Sequence, residues 1–163
     1  MKLMICGYAR HGKDTVGELL EQALDITFDS SSMFACKLFL FDALKVKYGY
    51  NTPQEAFEDR GNHRKEWFDM ICAYNADDPS RLTREIFAQH DMYVGIRNRI
   101  EFLDAREKGL FDLSIWVDAA ERKPPESGIS NTVSKDLCDI ILDNNSDENT
   151  LKRRVKRLAA CLR

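Results

Sequence analysis

The chain has no apolar run of membrane-spanning length. Its N-terminal apolar stretch stops after Leu3–Cys6, and Arg10, Lys13 and Asp14 interrupt the next segment. Crossing a bilayer takes roughly 20 apolar residues, and a secretory leader needs an unbroken apolar centre. No C-x-x-C pair occurs among Cys6, Cys36, Cys72, Cys138 and Cys161. An odd, scattered set of thiols argues against a disulfide framework or a zinc site. Thiols inside apolar runs serve as small core residues, so the expected compartment is reducing, the cytoplasm. Excess charge is lacking too. The 24 Lys and Arg against 27 Asp and Glu leave a net charge of -3, which gives no global field for nucleic acid or membrane. Repeats, low-complexity tracts and domain boundaries are absent. The 163 residues, 44% hydrophobic and 31% charged, suit one domain over 1–163.

Short apolar strands alternate with helical periodicity along the chain. Leu3 to Cys6 suits a buried strand. Val16, Leu19, Leu20, Ala23 and Leu24 then give an apolar face to a helix of about 12 residues starting near Lys13. Further strands are expected at Ile26–Phe28, Met92–Val94, Leu113–Val117 and Cys138–Leu142. The serines of 29-DSSS-32 can cap a helix running to about Tyr48, with Phe34, Leu38, Phe41 and Tyr48 on its apolar side. Thr52, Pro53 and Glu55 form a capping-box start, with a break near Gly61. Asp147 or Ser146 caps a last helix carrying Leu151, Val155, Leu158 and Leu162. The alternation predicts an α/β domain, a parallel sheet covered by helices on both faces. Residues 33–90 form a helical insert suited to gripping a second substrate. The polar stretch 119–132, with its prolines and glycine, is expected to be a lid loop.

After the first strand comes 7-GYARHGKDT-15. Gly7, Gly12 and Lys13 satisfy G-x-x-x-x-G-K in the strand–loop–helix context that a phosphate loop requires. Glycines let backbone N–H groups turn around a polyphosphate, the helix aims its positive end there, and Lys13 supplies a point charge. A chance match within an ordinary turn is disfavoured by these flanks. Asp14 stands where Ser or Thr usually ligates magnesium. A carboxylate is also a hard oxygen ligand for that ion, and it equally suits a first helical turn. Thr15 can reach a phosphate. The third strand ends in Gly95, where an acidic magnesium residue is often found. Asp118, at the end of the next strand, is the reserve candidate.

Transfer between two phosphates needs positive charge on donor and acceptor. Arg10 lies inside the loop. Arg60 and Arg64 share a face on a continuous helix, with a solvated, ion-paired face as the equal alternative. Arg97 and Arg99 follow the third strand, at the edge that lines ligand crevices in open parallel sheets. Arg122 and Lys123 sit in the lid. The basic run on the last helix is most simply a solvated face. His11, within the loop, has no evident partner.

These residues resemble the phage-type deoxynucleoside monophosphate kinases of the P-loop nucleoside monophosphate kinase superfamily. The G-K-D-T loop, the basic residue at Arg10, 95-GIRNR-99, 60-RGNHRKEWFDMICAYN-75 and 138-CDIILDNNSDENTLKRRV-155 carry the resemblance. It implies a five-stranded parallel sheet of order 2-3-1-4-5, a helical acceptor-binding insert and a short lid. It also implies adenine near Asn144 and Asn145, and ATP-dependent phosphorylation of a nucleoside monophosphate. Relatives often read D-x-R where this chain has Gly95-Ile96-Arg97. On this reading Lys13, Arg10, Arg97 and Arg122 stabilise the moving phosphoryl group. Gly7, Gly12, Lys13, Asp14, Thr15, Asn144 and Asn145 hold ATP, and Asp14 serves Mg²⁺. Ser31, Ser32, Lys37, Arg60, Arg64 and Arg97 hold the (deoxy)nucleoside 5′-monophosphate. No nucleic-acid or membrane partner is expected, and a homodimer is left open. The alternatives are a kinase for another small molecule, as in dephospho-coenzyme A kinases, and a non-catalytic nucleotide-binding regulator.

Overall fold

In a computed structural model of the chain, which describes residues 1–126 and 130–163, the strands assemble into one five-stranded sheet. Its strands are β1 (Leu3–Cys6), β2 (Phe28–Ser30), β3 (Met92–Val94), β4 (Leu113–Asp118) and β5 (Ile140–Asp143). Their order is β2-β3-β1-β4-β5, and every neighbouring pair is parallel. Central strand β1 is buried along its whole length, which is why it is an unbroken apolar run. Its residues alternate between two cores. Met4 and Cys6 pack with Phe34, Leu40, Trp67, Tyr93 and Trp116. Leu3 and Ile5 pack with Val16, Leu20, Val117, Leu151 and Val155.

The two outer strands start later in the chain than the apolar runs suggest. Asp91 N–H and Met92 N–H both donate to Thr27 O, at 2.9 and 3.0 Å. Asp91 Oδ2 accepts from Thr27 N–H at 3.2 Å. Residue 27 is thereby tied to the segment before β3, and the ladder begins at Phe28 opposite Met92. Before β5, a 3₁₀ turn takes Lys135–Leu137, and Asp139 Oδ2 accepts from Ser114 N–H at 2.8 Å.

Helix α1 (Lys13–Leu24) follows the loop as the periodicity requires. The insert contains α2 (Ser31–Ala35), a π-helical turn (Cys36–Leu40), α3 (Phe41–Tyr48), α4 (Pro53–Asp59), a 3₁₀ turn (Arg60–Asn62), α5 (Arg64–Tyr74) and α6 (Arg81–Gln89). Ser30 Oγ caps α2 by accepting from Met33 N–H at 3.1 Å, and Thr52 caps α4. The π turn re-phases the expected apolar face. Cys36, Leu40 and Leu44 are buried, whereas Leu38 is 47% exposed. The expected break at Gly61 is the 3₁₀ turn. Helices α7 (Arg99–Glu107) and α8 (Glu148–Leu162) are capped by Asn98 and Asp147. Among the described residues no helix is long and apolar enough to cross a membrane. The parallel arrangement collects the segments after β1, β3, β4 and β5 at one edge, where open α/β sheets bind ligands.

Candidate active site

The loop between β1 and α1 is shaped by two glycines and held by two distant residues. At Gly7 (φ 144°) a Cβ would come within 2.7 Å of Val117 O. At Gly12 (φ 90°) it would come within 2.5 Å of Asn144 Nδ2. Arg10 takes a left-handed φ of 63°, a conformation unfavourable for a side-chain-bearing residue. His11 is fully buried. Its Nδ1 accepts from Ala119 N–H at 3.0 Å, so its hydrogen lies on Nε2. Asn144 Nδ2 donates to His11 O at 2.9 Å, and Asn144 N–H donates to Asp118 O at 2.7 Å. The ends of β4 and β5 therefore brace the loop. Neither strut is visible in sequence, because each partner lies more than a hundred positions away. Asn144→Ala would leave His11 O unpaired in a buried place, at a cost of about 1–3 kcal/mol. The expected result is a lower Tm, read by thermal unfolding.

Asn144 is thus committed to the loop backbone. Asn145 accepts from Glu121 N–H at 2.9 Å and donates to Asp143 Oδ1 at 2.8 Å. Arg122 Nε donates to Asn144 O at 2.7 Å, which places it beside the β5 turn. Lys13 is 8% exposed and donates from Nζ to Tyr8 O at 2.8 Å. Burial, and then the charge of Arg97, lower its pKa from 10.5 to about 8. Asp14 and Thr15 are exposed on the first turn of α1.

A cleft of about 870 Å³ opens beside the loop, lined by Arg10, Lys13, Asp14, Ser31, Ser32, Arg60, Arg64 and Arg97 among others. An adjoining cavity shares Ser31, Ser32, Arg60, Arg64, Gly95 and Arg97 with it and is walled by Trp67, Phe68, Ile71 and Tyr93. The helical insert thus closes over the end of β3 and leaves an aromatic chamber behind an arginine mouth. Lys37 lines neither space; it is 60% exposed and lies 3.5 Å from Asp29. Arg60 stacks on Phe57, 3.6 Å from the ring centroid, and donates to Phe57 O at 2.7 Å.

Gly95 has a positive φ of 97°, and a Cβ there would lie 3.3 Å from Ser31 Oγ and 3.7 Å from Lys13 Cε. Ser31 Oγ donates to Gly95 O at 3.0 Å. The strand therefore turns tightly between Ser31 and Lys13 at the place where an acidic magnesium residue is often found. Asp118 faces elsewhere: its Oδ1 accepts from Ala120 N–H at 3.0 Å and its Oδ2 lies 3.8 Å from Lys135 Nζ. Asp14 lines the cleft with no hydrogen bond or ion pair among the described residues. Among those residues no cluster of three or more His, Cys, Asp or Glu could hold a metal unaided. One free carboxylate beside a phosphate loop still fits Mg²⁺, which takes one or two carboxylates together with phosphate oxygens and water.

Against the cleft residues Ala9, Arg64 and Arg97 lies a residue that local sequence patterns do not single out. Glu126 Oε2 accepts from Ala9 N–H at 3.0 Å. Its Oε1 pairs with Arg97, lies 3.5 Å from Arg64 Nη1 and accepts from Ser130 Oγ at 3.0 Å. The side chain is 7% exposed. Burial pushes its pKa up, but Arg97 and the hydrogen bonds from Arg97, Ala9 and Ser130 outweigh this and hold it below the ordinary carboxylate range. A carboxylate accepting from a phosphate-loop N–H and two guanidinium groups sits among donors equally suited to phosphate. Nothing in 119-AAERKPPESGISNT-132 distinguishes Glu126 from Glu121; only the fold brings Arg97 to it. Residues 127–129 of the expected lid lie outside the described residues.

No known family model matches the chain, and no curated protein matches its sequence. Solved structures do resemble it. A shikimate kinase from Aquifex aeolicus has a TM-score of 0.52 at 18% identity, covering 99% of this chain and 96% of that one. A gluconokinase from Sinorhizobium meliloti has a TM-score of 0.51 at 12% identity, covering 99% and 92% respectively. The likeness is one of fold: a five-stranded parallel sheet of order 2-3-1-4-5 with helices on both sides, the P-loop kinase type.

Proposed function

We propose that this protein transfers the γ-phosphoryl group of ATP to a (deoxy)nucleoside 5′-monophosphate. One observation carries the reading: the phosphate-loop cleft runs directly into an aromatic-walled cavity through a mouth containing Arg60, Arg64 and Arg97. A donor site and an acceptor site sharing their cations fit transfer between two anions better than simple nucleotide binding. The loop N–H groups and Lys13 would hold the β- and γ-phosphates, with Arg10 at the rim. Arg60, Arg64 and Arg97 would hold the acceptor phosphate, and Ser31 and Ser32 lie between the two. The base would enter the chamber of Trp67, Phe68 and Tyr93. Arg122, Asn144 and Asn145 belong to the nucleotide side, where the β5 turn meets the loop. Asp14 would hold Mg²⁺, which when bound supplies neutralisation of charge on the phosphates. The phosphoryl group moves from the terminal ATP phosphorus–oxygen bond to an acceptor phosphate oxygen, and ADP departs. Electrostatics and position suffice, with no covalent enzyme intermediate. The resemblance to phage-type deoxynucleoside monophosphate kinases supports this choice of acceptor through the quoted motifs.

ADP release measured with ATP alone, then with each nucleoside monophosphate, tests the reading. Release that no acceptor stimulates would sink it. A second reading has its own support. Arginine binds carboxylate as readily as phosphate, and the fold neighbours are titled shikimate kinase and gluconokinase. The same assay with carboxylated polyols decides between the two.

Glu126 must give up Arg97 and Ala9 N–H before phosphate oxygens can take them. Glu126→Gln is therefore expected to lower KM for the phosphate ligands several-fold, because a carboxylate no longer competes for the same donors. Since folding lowers the Glu126 pKa, its ionised form stabilises the fold at neutral pH. That contribution is lost as pH falls through the folded-state pKa. The variant should be less stable than the parent at pH 7, by a margin that shrinks in acid. Steady-state kinetics and thermal unfolding across pH check both parts.

A further inference from the structure

The lining of the aromatic cavity includes an acidic group that the transfer chemistry does not use. Glu101, on the first turn of α7, lines this cavity and is 1% exposed. Its Oε1 accepts from Thr83 Oγ1 at 2.8 Å and from Tyr93 OH at 3.2 Å. Its Oε2 makes no hydrogen bond among the described residues. Burial pushes its pKa up to about 7, although the hydroxyls of Thr83 and Tyr93 pull it down. Such a carboxyl gains from any N–H donor brought to it, because a buried group with an unmet acceptor loses free energy.

The cavity has two chemically distinct ends. The arginine mouth suits a phosphate, and the aromatic walls suit a flat ring. Glu101 then meets whatever edge the ring presents. The hydroxyls of Thr83 and Tyr93 both donate to Oε1 and favour the ionised form, two N–H donors from a ligand favour it further, and an ionised carboxylate only accepts hydrogen bonds. The N3–H of thymine is flanked on both sides by carbonyl oxygens, which would oppose the carboxylate. The amino groups of adenine and cytosine each adjoin a ring-nitrogen acceptor. Guanine presents N1–H and the 2-amino group side by side, two donors with no acceptor between them.

From this match we infer that Glu101 is the base-reading residue of the acceptor site, and that the favoured base is guanine, bound through its N1–H and 2-amino edge. The inference rests on the proposed nucleoside monophosphate acceptor and sharpens it.

The test is the acceptor profile of the full chain, measured both as calorimetric binding and as ADP release. The acceptors are the 5′-monophosphates of guanosine, inosine, adenosine and thymidine. Wild type should favour guanosine over adenosine and thymidine by about tenfold or more. Inosine, which lacks the 2-amino group, should fall between. In Glu101→Gln the amide oxygen can keep the hydroxyls of Thr83 and Tyr93, and its NH₂ then faces the cavity. Guanosine monophosphate should lose about tenfold or more in kcat/KM, adenosine monophosphate should gain relative to it, and KM for ATP should not change. An equal loss with every base would make Glu101 a structural residue and overturn the inference. So would a wild-type preference for adenine or thymine, a result that stands even if the variant fails to fold. Guanine-selective binding without transfer would refute the kinase reading and leave the base assignment intact. Transfer without base preference would do the reverse.

Discussion

Lys13→Met is expected to reduce phosphoryl transfer by about 10²–10³-fold or more, the effect of removing a preorganised charge from a developing anion, while the protein stays folded. Methionine keeps most of the aliphatic stem and removes the ammonium group. That group is buried, and its pKa is lowered from 10.5 to about 8, chiefly by desolvation. Between those values the unfolded chain binds a proton that the folded chain does not. The charged lysine therefore costs stability in full below pH 8, on the order of 3 kcal/mol, and the cost fades as pH rises towards 10.5. Against this stands the loss of one hydrogen bond to Tyr8 O, about 1 kcal/mol. The variant should have a Tm at pH 7 no lower than that of the parent, and the gap should close above pH 8. In the parent, kcat/KM for ATP should decline as pH rises beyond about 8, where Lys13 loses its proton in the free enzyme. A transfer-competent Lys13→Met protein would remove the loop from the mechanism.

The second large effect is expected at Arg97. This guanidinium is common to the phosphate cleft and the aromatic cavity, so it lies where donor and acceptor anions would meet. Arg97→Met should lower kcat by about 10²–10³-fold. It should also destabilise the protein at neutral pH, because Glu126, 7% exposed, would keep its charge with the more distant Arg64 as its remaining cation, beside the neutral donors Ala9 N–H and Ser130 Oγ. A buried charge stripped of its main partner costs several kcal/mol. The two consequences separate in the double variant. Arg97→Met with Glu126→Gln should recover most of the lost stability and none of the lost transfer. Thermal unfolding and single-turnover phosphoryl transfer on the four proteins complete the cycle. Recovery of transfer in the double variant would mean that Arg97 acts only by holding Glu126.

Several elements are legible in the sequence because their signals are local. The phosphate loop depends on glycines within nine consecutive residues and on the strand and helix beside them. Helix α1 and the caps at Thr52 and Asp147 follow rules that reach three or four positions. The starts of β2 and β5 are not legible, because Thr27 and Asp139 bond to residues far along the chain, which no local pattern encodes. Periodicity assigns Leu38 to the buried face because its spacing suits an α-helix, whereas the chain forms a π turn there.

Taken alone, the amino-acid order specified an alternating α/β chain, a phosphate loop with an aspartate after its lysine, and candidate site arginines in four separate segments. Tertiary structure selected among them. It brought Arg10, Arg60, Arg64 and Arg97 to one cleft and left Arg122 at the β5 turn. It committed His11 and Asn144 to bracing the loop, placed Glu126 against Ala9 N–H and the guanidinium groups of Arg64 and Arg97, and set Glu101 in the wall of the aromatic cavity. The difference is one of range. Backbone propensity and side-chain periodicity act over a few residues. Charge pairing, burial and pKa depend on which distant segments the parallel crossovers bring to the same sheet edge.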